Sequence, residues 1–268
     1  MEVLNPRSVL VTGSNRGIGL ELVKQLVEKS DPPEWIFATC RDPEGPRAKS
    51  LKNLAAQHQH RVEIIQLDTS DPSSIKAAAA KITECLHGAG LNLLFNNAGI
   101  VKSSSLESET PENMLEVYNT NVVGPMVMGQ VFLPLLRKAS KDSLLKGMSC
   151  SKAAIVNISS DCGSITNLLA WDIGQIPNYR CSKAALNMLN RCQSLQYAQD
   201  EILCVALHPG WLQTDMGSGN ETLGGVVAPT PKPILSEEEG SEHEGEEPAR
   251  PPSPGPSSLA MPQVSAEG

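Results

Sequence analysis

Tyr179 and Lys183, in the run Tyr179-Arg180-Cys181-Ser182-Lys183, stand four apart and so share one face of any helix that holds them. A neighbouring ammonium favours the phenolate and lowers a tyrosine pKa from about 10 toward working pH. Such a tyrosine suits a general acid that protonates an alkoxide formed by hydride transfer. An amphipathic surface pair has the same spacing, so position must decide. The pair opens the helix after the fifth candidate strand, and that strand ends in Asn157-Ile158-Ser159-Ser160, which places hydroxyls at the same edge.

A second constellation lies near the N-terminus. The first candidate strand runs into Thr12-Gly13-Ser14-Asn15-Arg16-Gly17-Ile18-Gly19 and then an apolar helix. Glycine serves where backbone must turn sharply or approach a pyrophosphate without a Cβ in the way. A helix starting near Gly17 offers free N–H groups and a positive dipole end to that phosphate. The spacing, Gly-x-x-x-Gly-x-Gly, differs from the common Gly-x-Gly-x-x-Gly fingerprint, and its place after a first strand carries the reading. Arg41 follows the second strand, where many dinucleotide folds place an acid for the ribose 2′-hydroxyl. An arginine there suits a 2′-phosphate, with Arg16 as a second cation, and favours NADP over NAD. Solvated surface arginines are the bland alternative, and Asp42 beside Arg41 counts against a phosphate.

The elements that must position these groups follow from the apolar runs. Candidate strands are 8–12, 35–40, 62–67, 91–95, 154–159 and 202–207, with helices at about 17–29, 47–57, 72–87, 111–138 and 179–199. Near-continuous apolar strands are buried on both faces. Asp71-Pro72 and Thr110-Pro111 each put a capping residue before a first-turn proline. The expected fold is therefore α/β, a Rossmann-type doubly wound parallel sheet of six strands whose ligand site lies at the strands' carboxyl ends.

Composition narrows the function class. The net charge is −8, but from Lys232 onward eight Glu face one Lys and one Arg, leaving −2 on the preceding 231 residues. An acidic balance argues against nucleic acid as partner. No run approaches the roughly 18 apolar residues of a membrane span, and the opening Met1-Glu2-Val3-Leu4-Asn5, with no basic region or apolar stretch, leads one to expect no secretory signal. The seven cysteines are scattered and odd in number, and with the five histidines they form no spaced metal cluster. They read as small apolar residues in a reducing, cytoplasmic compartment. After Asn220 the alternation of elements fails, and nine of the twenty prolines fall from Pro229 onward. Residues 1–228 are read as a nucleotide-binding domain carrying the catalytic site, and 229–268 as an acidic, proline-rich disordered tail.

Taken in order, Thr12-Gly13-x-x-x-Gly17-x-Gly19, Asn96-Asn97-Ala98-Gly99, Asn121 in Asn-Val-Val-Gly, Ser160, Tyr179-x-x-x-Lys183 and Pro209-Gly210 resemble the motifs of the short-chain dehydrogenase/reductase superfamily. The phrases Thr-Gly-Ser-Asn-Arg-Gly-Ile-Gly and Tyr-Arg-Cys-Ser-Lys-Ala-Ala-Leu-Asn are similar to the sniffer and C-factor type of carbonyl reductase. The resemblance spans about residues 7–228. It implies an NADPH-dependent reduction of a small-molecule carbonyl substrate. Gly13, Gly17 and Gly19 would shape the pyrophosphate loop, with Ser14, Asn15, Arg16 and Ile18 lining it. Asp68 and Thr69 would sit at the adenine, and Asn97, Ala98 and Gly99 beside the cofactor. Asn121 would hold a helix irregularity and a relay water. Ser160, rather than Ser159, would bond the substrate carbonyl, Tyr179 would donate the proton, and Lys183 would grip the nicotinamide ribose. Pro209, Gly210, Leu212 and Thr214 would close over the carboxamide. Leu168, Leu169, Trp171 and Ile176 would line an apolar substrate pocket or serve as ordinary packing. The resemblance also implies a homodimer through helices 111–138 and 179–199.

The resemblance ends where relatives would continue into another helix and a seventh strand. The sixth strand is then expected to form an apolar sheet edge, which invites pairing or aggregation. A chain altered in this way has a second reading, as a weakly active or inactive isoform acting as a regulatory or interaction protein through Pro251-Pro252-Ser253-Pro254.

Overall fold

Each apolar run forms a strand in the computed structural model, which describes residues 4–172 and 174–210. Strands β1 (Ser8–Thr12), β2 (Trp35–Cys40), β3 (Val62–Gln66), β4 (Leu93–Asn96), β5 (Ala154–Ile158) and β6 (Leu203–Leu207) build one sheet. Its order is β3-β2-β1-β4-β5-β6, with every pair parallel. Parallel neighbours need long crossovers, here helices α1 (Gly17–Glu28), α2 (Lys49–Gln57), α3 (Pro72–Cys85), α4 (Pro111–Tyr118), α5 (Gly124–Asp142) and α6 (Pro177–Gln196).

Side chains alternate along each strand and so build two cores. Leu10, Phe37, Leu94 and Ile155 pack on one face with Met128, Phe132 and Leu136 of α5 and Ile75 and Ile82 of α3. Val9, Val11, Ile36, Ala38, Leu93, Phe95 and Val156 pack on the other with Val23 and Leu26 of α1 and Leu51 of α2. Register locks this alternation, since Leu10 lies opposite both Phe37 and Leu94. The chain reverses direction across the sheet between β1 and β4, which opens a crevice at their carboxyl ends.

Two helix starts follow the expected caps: Asp71 accepts from Ser73 N–H and Thr110 from Asn113 N–H, each before a proline. One expected helix does not form as a single piece. The stretch read as one helix over 111–138 is α4 and α5, joined by a π-helical turn at Asn119–Val123 in which Gly124 N–H reaches the Asn119 carbonyl. Among the described residues β6 is the outermost strand beside β5, and Leu207 is 43% exposed. The described residues fall in a unit running Met1–Ile234. The expected tail, 229–268, lies outside the described residues, as do Leu212 and Thr214.

Candidate active site

β1 delivers Thr12 to the crevice, where its hydroxyl becomes a hub. Thr12 Oγ1 donates to the Phe95 carbonyl at 3.2 Å and accepts from the N–H groups of Asn97 at 2.9 Å and Ala98 at 3.0 Å. The Asn97 amide donates to the Thr12 carbonyl at 2.8 Å, so the loops after β1 and β4 are tied together. Gly13 has φ +67°, and a Cβ there would lie 3.1 Å from Ala98 Cα. A Cβ on Gly19 would meet the Gly13 carbonyl oxygen at 2.3 Å. Bare backbone is therefore required where α1 packs against its own loop. The side chain of Arg16, the residue before α1, does not cap the helix, whose first turn opens beside Asn15, Arg16, Gly17 and Ile18 in the crevice wall.

These residues line a cleft of about 470 Å³, within the size range of small-molecule sites. One end carries Arg16, Arg41, Asp42 and Arg47; the other carries Ser159, Tyr179, Lys183 and Pro209. In the sheet order Gly13, after β1, and Asn97, Ala98 and Gly99, after β4, lie between them, while Asp68 and Thr69 follow β3 on the Arg41 side. Asp42, which weighed against a phosphate beside Arg41, turns its carboxylate into its own loop and accepts the Gly45 N–H at 2.8 Å. Asp68 accepts from the Ser70 N–H and hydroxyl at 2.9 and 2.6 Å.

Two expected liners, Ser14 and Gly19, sit behind the wall. Ser14 is fully buried and its hydroxyl donates to the Val11 carbonyl at 2.7 Å, so it supports the loop from beneath. Gly19 is filled against by Gly13 and Asn97. Gly210 has φ +80° and follows Pro209, but does not line the cleft itself.

At the far end, Lys183 is buried, its Nζ 5.3 Å from the Tyr179 ring centroid and donating to the Ile158 carbonyl at 2.7 Å. Asn121, 1% exposed, accepts from Ile100 N–H at 2.9 Å and donates to the Ile100 carbonyl at 2.9 Å and to Ser182 Oγ at 3.0 Å. Of the paired serines, Ser159 reaches the cleft wall but spends its hydroxyl on Asn187 at 2.6 Å. Ser160 donates to Asp161 at 3.1 Å and accepts from Cys162 N–H at 3.1 Å, and it is near enough to the Tyr179 phenol to oppose the rise of its pKa.

The electrostatics differ from the sequence expectation in one respect. Burial pushes the Tyr179 phenol up to about 12, with Cys162 and Asp161 adding to the rise and the Ser160 hydrogen bond opposing it. Burial likewise pulls Lys183 down to about 8. The ammonium is turned toward the Ile158 carbonyl, and desolvation outweighs any lowering of the phenol.

Sequence reasoning missed Arg47, which the turn Asp42–Pro46 brings back beside Arg41. It also missed Cys162, whose thiol acts on both Tyr179 and Lys183. A second depression, of about 520 Å³, is lined by Arg137, Lys141, Lys146 and Lys152 near the amino ends of β5 and β6, away from this chemistry. Among the described residues no group of His, Cys, Asp and Glu could hold a metal, and no helix is long and apolar enough to cross a membrane.

A family model described as short chain dehydrogenase matches residues 7–222. A short-chain dehydrogenase of Penicillium roqueforti is 34% identical over 218 residues, covering 79% of this chain and 81% of that one. Among solved structures, the NADPH-bound carbonyl reductase from chicken fatty liver is 54% identical with a TM-score of 0.80, covering 86% of this chain and 82% of that chain. The carbonyl reductase Sniffer of Drosophila melanogaster is 40% identical with a TM-score of 0.75, covering 80% and 84%. With the family model matching residues 7–222 and relatives above 30% identity over most of both chains, the chain belongs to the short-chain dehydrogenase family.

Proposed function

We propose that this oxidoreductase reduces a small-molecule carbonyl compound with NADPH, using Tyr179 as the general acid. The observation that carries the reading is one cleft with arginines at one end and the Tyr179–Lys183 pair at the other. The site fits the cofactor: Gly13 and Gly19 let the loop fold tightly against Ala98 and the first turn of α1, and the start of α1 in the cleft wall suits a pyrophosphate. Arg16, Arg41 and Arg47 would hold a 2′-phosphate, and this supports NADPH over NADH. Asp68 and Thr69 would flank the adenine, and Asn97, Ala98, Gly99 and Pro209 would pack along the cofactor. Bound there, NADPH supplies a hydride.

Ser160 would orient the carbonyl oxygen and Tyr179, protonated at working pH, would deliver its proton to that oxygen. Lys183 would hold the nicotinamide ribose, and Asn121 would fix the π-helical turn beside it. Leu212 and Thr214 would complete the cover over the carboxamide. A cytoplasmic setting agrees with seven unpaired cysteines. Exposed Leu115, Tyr118 and Met126 on α4 and α5, with Met188 and Leu195 on α6, supply apolar surface for the homodimer.

The test is thermal unfolding with NADPH, NADH and neither, followed by NADPH oxidation against a panel of aldehydes and ketones. Stabilisation by NADPH alone and turnover of at least one carbonyl are expected. No shift with either nucleotide would overturn the reading.

A further inference from the structure

The helix that carries Tyr179 starts without a local cap. Ile176, just before α6, has φ 36° and ψ 56° and an apolar side chain that accepts no hydrogen bond. Pro177 has no N–H and Tyr179 N–H donates to the Ile176 carbonyl at 3.0 Å, so it is Asn178 N–H that must find a partner outside the helix. Asn178 N–H donates to Glu109 Oε2 at 3.1 Å, and the Asn178 side-chain amide donates to the same oxygen at 2.6 Å. Ser104 Oγ also donates to Oε2, at 2.6 Å, while Thr110 N–H donates to Oε1 at 3.0 Å.

Asn178 is 1% exposed and extends the junction. Its amide donates to the Lys102 carbonyl at 2.9 Å and accepts from Lys102 N–H at 3.3 Å. Ile176 N–H donates to the Ser104 carbonyl at 3.1 Å. One carboxylate thus joins segment 102–106, the start of α4 and the first turn of α6. Burial works against its charge, but hydrogen bonds from Ser104, Asn178 and Thr110 outweigh that and hold it at about 2. An anion at a helix N-terminus is also favoured by the helix dipole.

We propose that Glu109 is a positioning residue for proton transfer: it caps α6 from 69 residues away and fixes the turn that presents Tyr179. The proposal rests on the reading of Tyr179 as general acid. Glu109 is absent from the cleft wall, so its effect must pass through the backbone of α6. Three of the four bonds go to Oε2, and a glutamine carbonyl can accept those three. Aspartate is one methylene too short to reach, and alanine accepts none.

The experiment measures kcat, KM and NADPH Kd for the full chain with 4-nitrobenzaldehyde, in Glu109→Ala, Glu109→Asp and Glu109→Gln, with the exposed Glu107→Gln as control. Deuterium uptake of the peptide covering 176–183 is followed in parallel. Displacing a reacting group by an ångström costs on the order of 10²-fold. We expect kcat to fall roughly 10- to 100-fold in the Ala and Asp variants, with NADPH Kd within about threefold and faster uptake over 176–183. Glu109→Gln should recover kcat to within about threefold of the parent, because it keeps the Oε2 contacts. Unchanged kcat in Glu109→Ala, or a fall in kcat matched by loss of NADPH affinity, would overturn the proposal while leaving the reading of the site intact. A parent chain that binds NADPH but turns over no carbonyl would overturn both.

Discussion

Lys183 Nζ lies 5.3 Å from the ring centroid of Tyr179 while donating to the Ile158 carbonyl at 2.7 Å. The two side chains share a face of α6, and the Lys183 ammonium lies over the Tyr179 ring while the Ile158 carbonyl accepts its hydrogen bond. Burial keeps the phenol protonated, up to about 12, which is the state a proton donor needs before reaction. Tyr179→Phe should therefore lower kcat by about 10²- to 10⁴-fold, the usual worth of general acid catalysis. It should leave the NADPH-induced thermal shift in place. Loss of that shift would mean that Tyr179 serves nucleotide binding instead.

Lys183 presents the opposite case, a cation whose burial lowers it to about 8. Its folded-state pKa is then below its unfolded one, so the folded chain binds fewer protons between about pH 8 and the ordinary lysine range. Stability from this group rises with pH across that window, and the penalty for burying the ammonium is fully present below it. Lys183→Met should melt a few degrees above the parent at pH 7 despite losing activity, and the gap should close by about pH 10. A gap independent of pH would show that the lysine titrates in its ordinary range.

The arginine end of the cleft makes a separable prediction. Arg41 and Arg47 line it together, and the Asp42 carboxylate is engaged by Gly45 N–H. Charge-assisted hydrogen bonds are worth about 1.5–3 kcal/mol, so Arg41→Ala should weaken NADPH binding roughly 10- to 150-fold. NADH binding should be unchanged, and Arg47→Ala should act in the same direction. Titration by nucleotide fluorescence would show it, and equal losses for both nucleotides would assign these arginines to the fold.

Which of these features could be read in advance depends on how far apart in sequence the interacting groups are. Tyr179 and Lys183 were legible because a helix makes neighbours of residues four apart. The strands were legible because burial on both faces leaves an apolar run. The break between α4 and α5 was legible only through the family resemblance, which implies an irregularity at Asn121; spacing alone does not show it, since Asn121 meets Ile100, 21 residues away. Glu109 was invisible for the same reason, its main partner Asn178 being 69 residues distant. The rise of the Tyr179 pKa was missed because spacing shows a neighbouring charge but not the depth of burial around it.

The glycine loop is tested by volume alone. A methyl group on Gly19 would overlap the Gly13 carbonyl oxygen, backbone that cannot swing away as a side chain would. Overpacking of this kind costs about 1–3 kcal/mol. Gly19→Ala should lower the melting temperature and weaken NADPH binding together, because the loop that would hold the pyrophosphate must shift. Gly88→Ala is the contrast: no atom lies within 4 Å of its added Cβ, so only its φ of +88° opposes the change. It should leave nucleotide binding untouched, and a comparable loss there would point to general instability.

Glu109 also sets an acid limit that distinguishes it from surface carboxylates. Its pKa is lowered to about 2, below the unfolded value, so it stabilises the fold at any pH above the ordinary glutamate range. That contribution is lost as pH falls through this range toward 2, because the unfolded chain takes up the proton first. The parent should therefore lose stability faster than Glu109→Gln between about pH 5 and pH 3. The melting temperatures of the two chains should converge over that interval, since an amide has no proton to gain. Parallel curves would mean that the carboxylate titrates normally and that its four hydrogen bonds do not favour the charged form in solution.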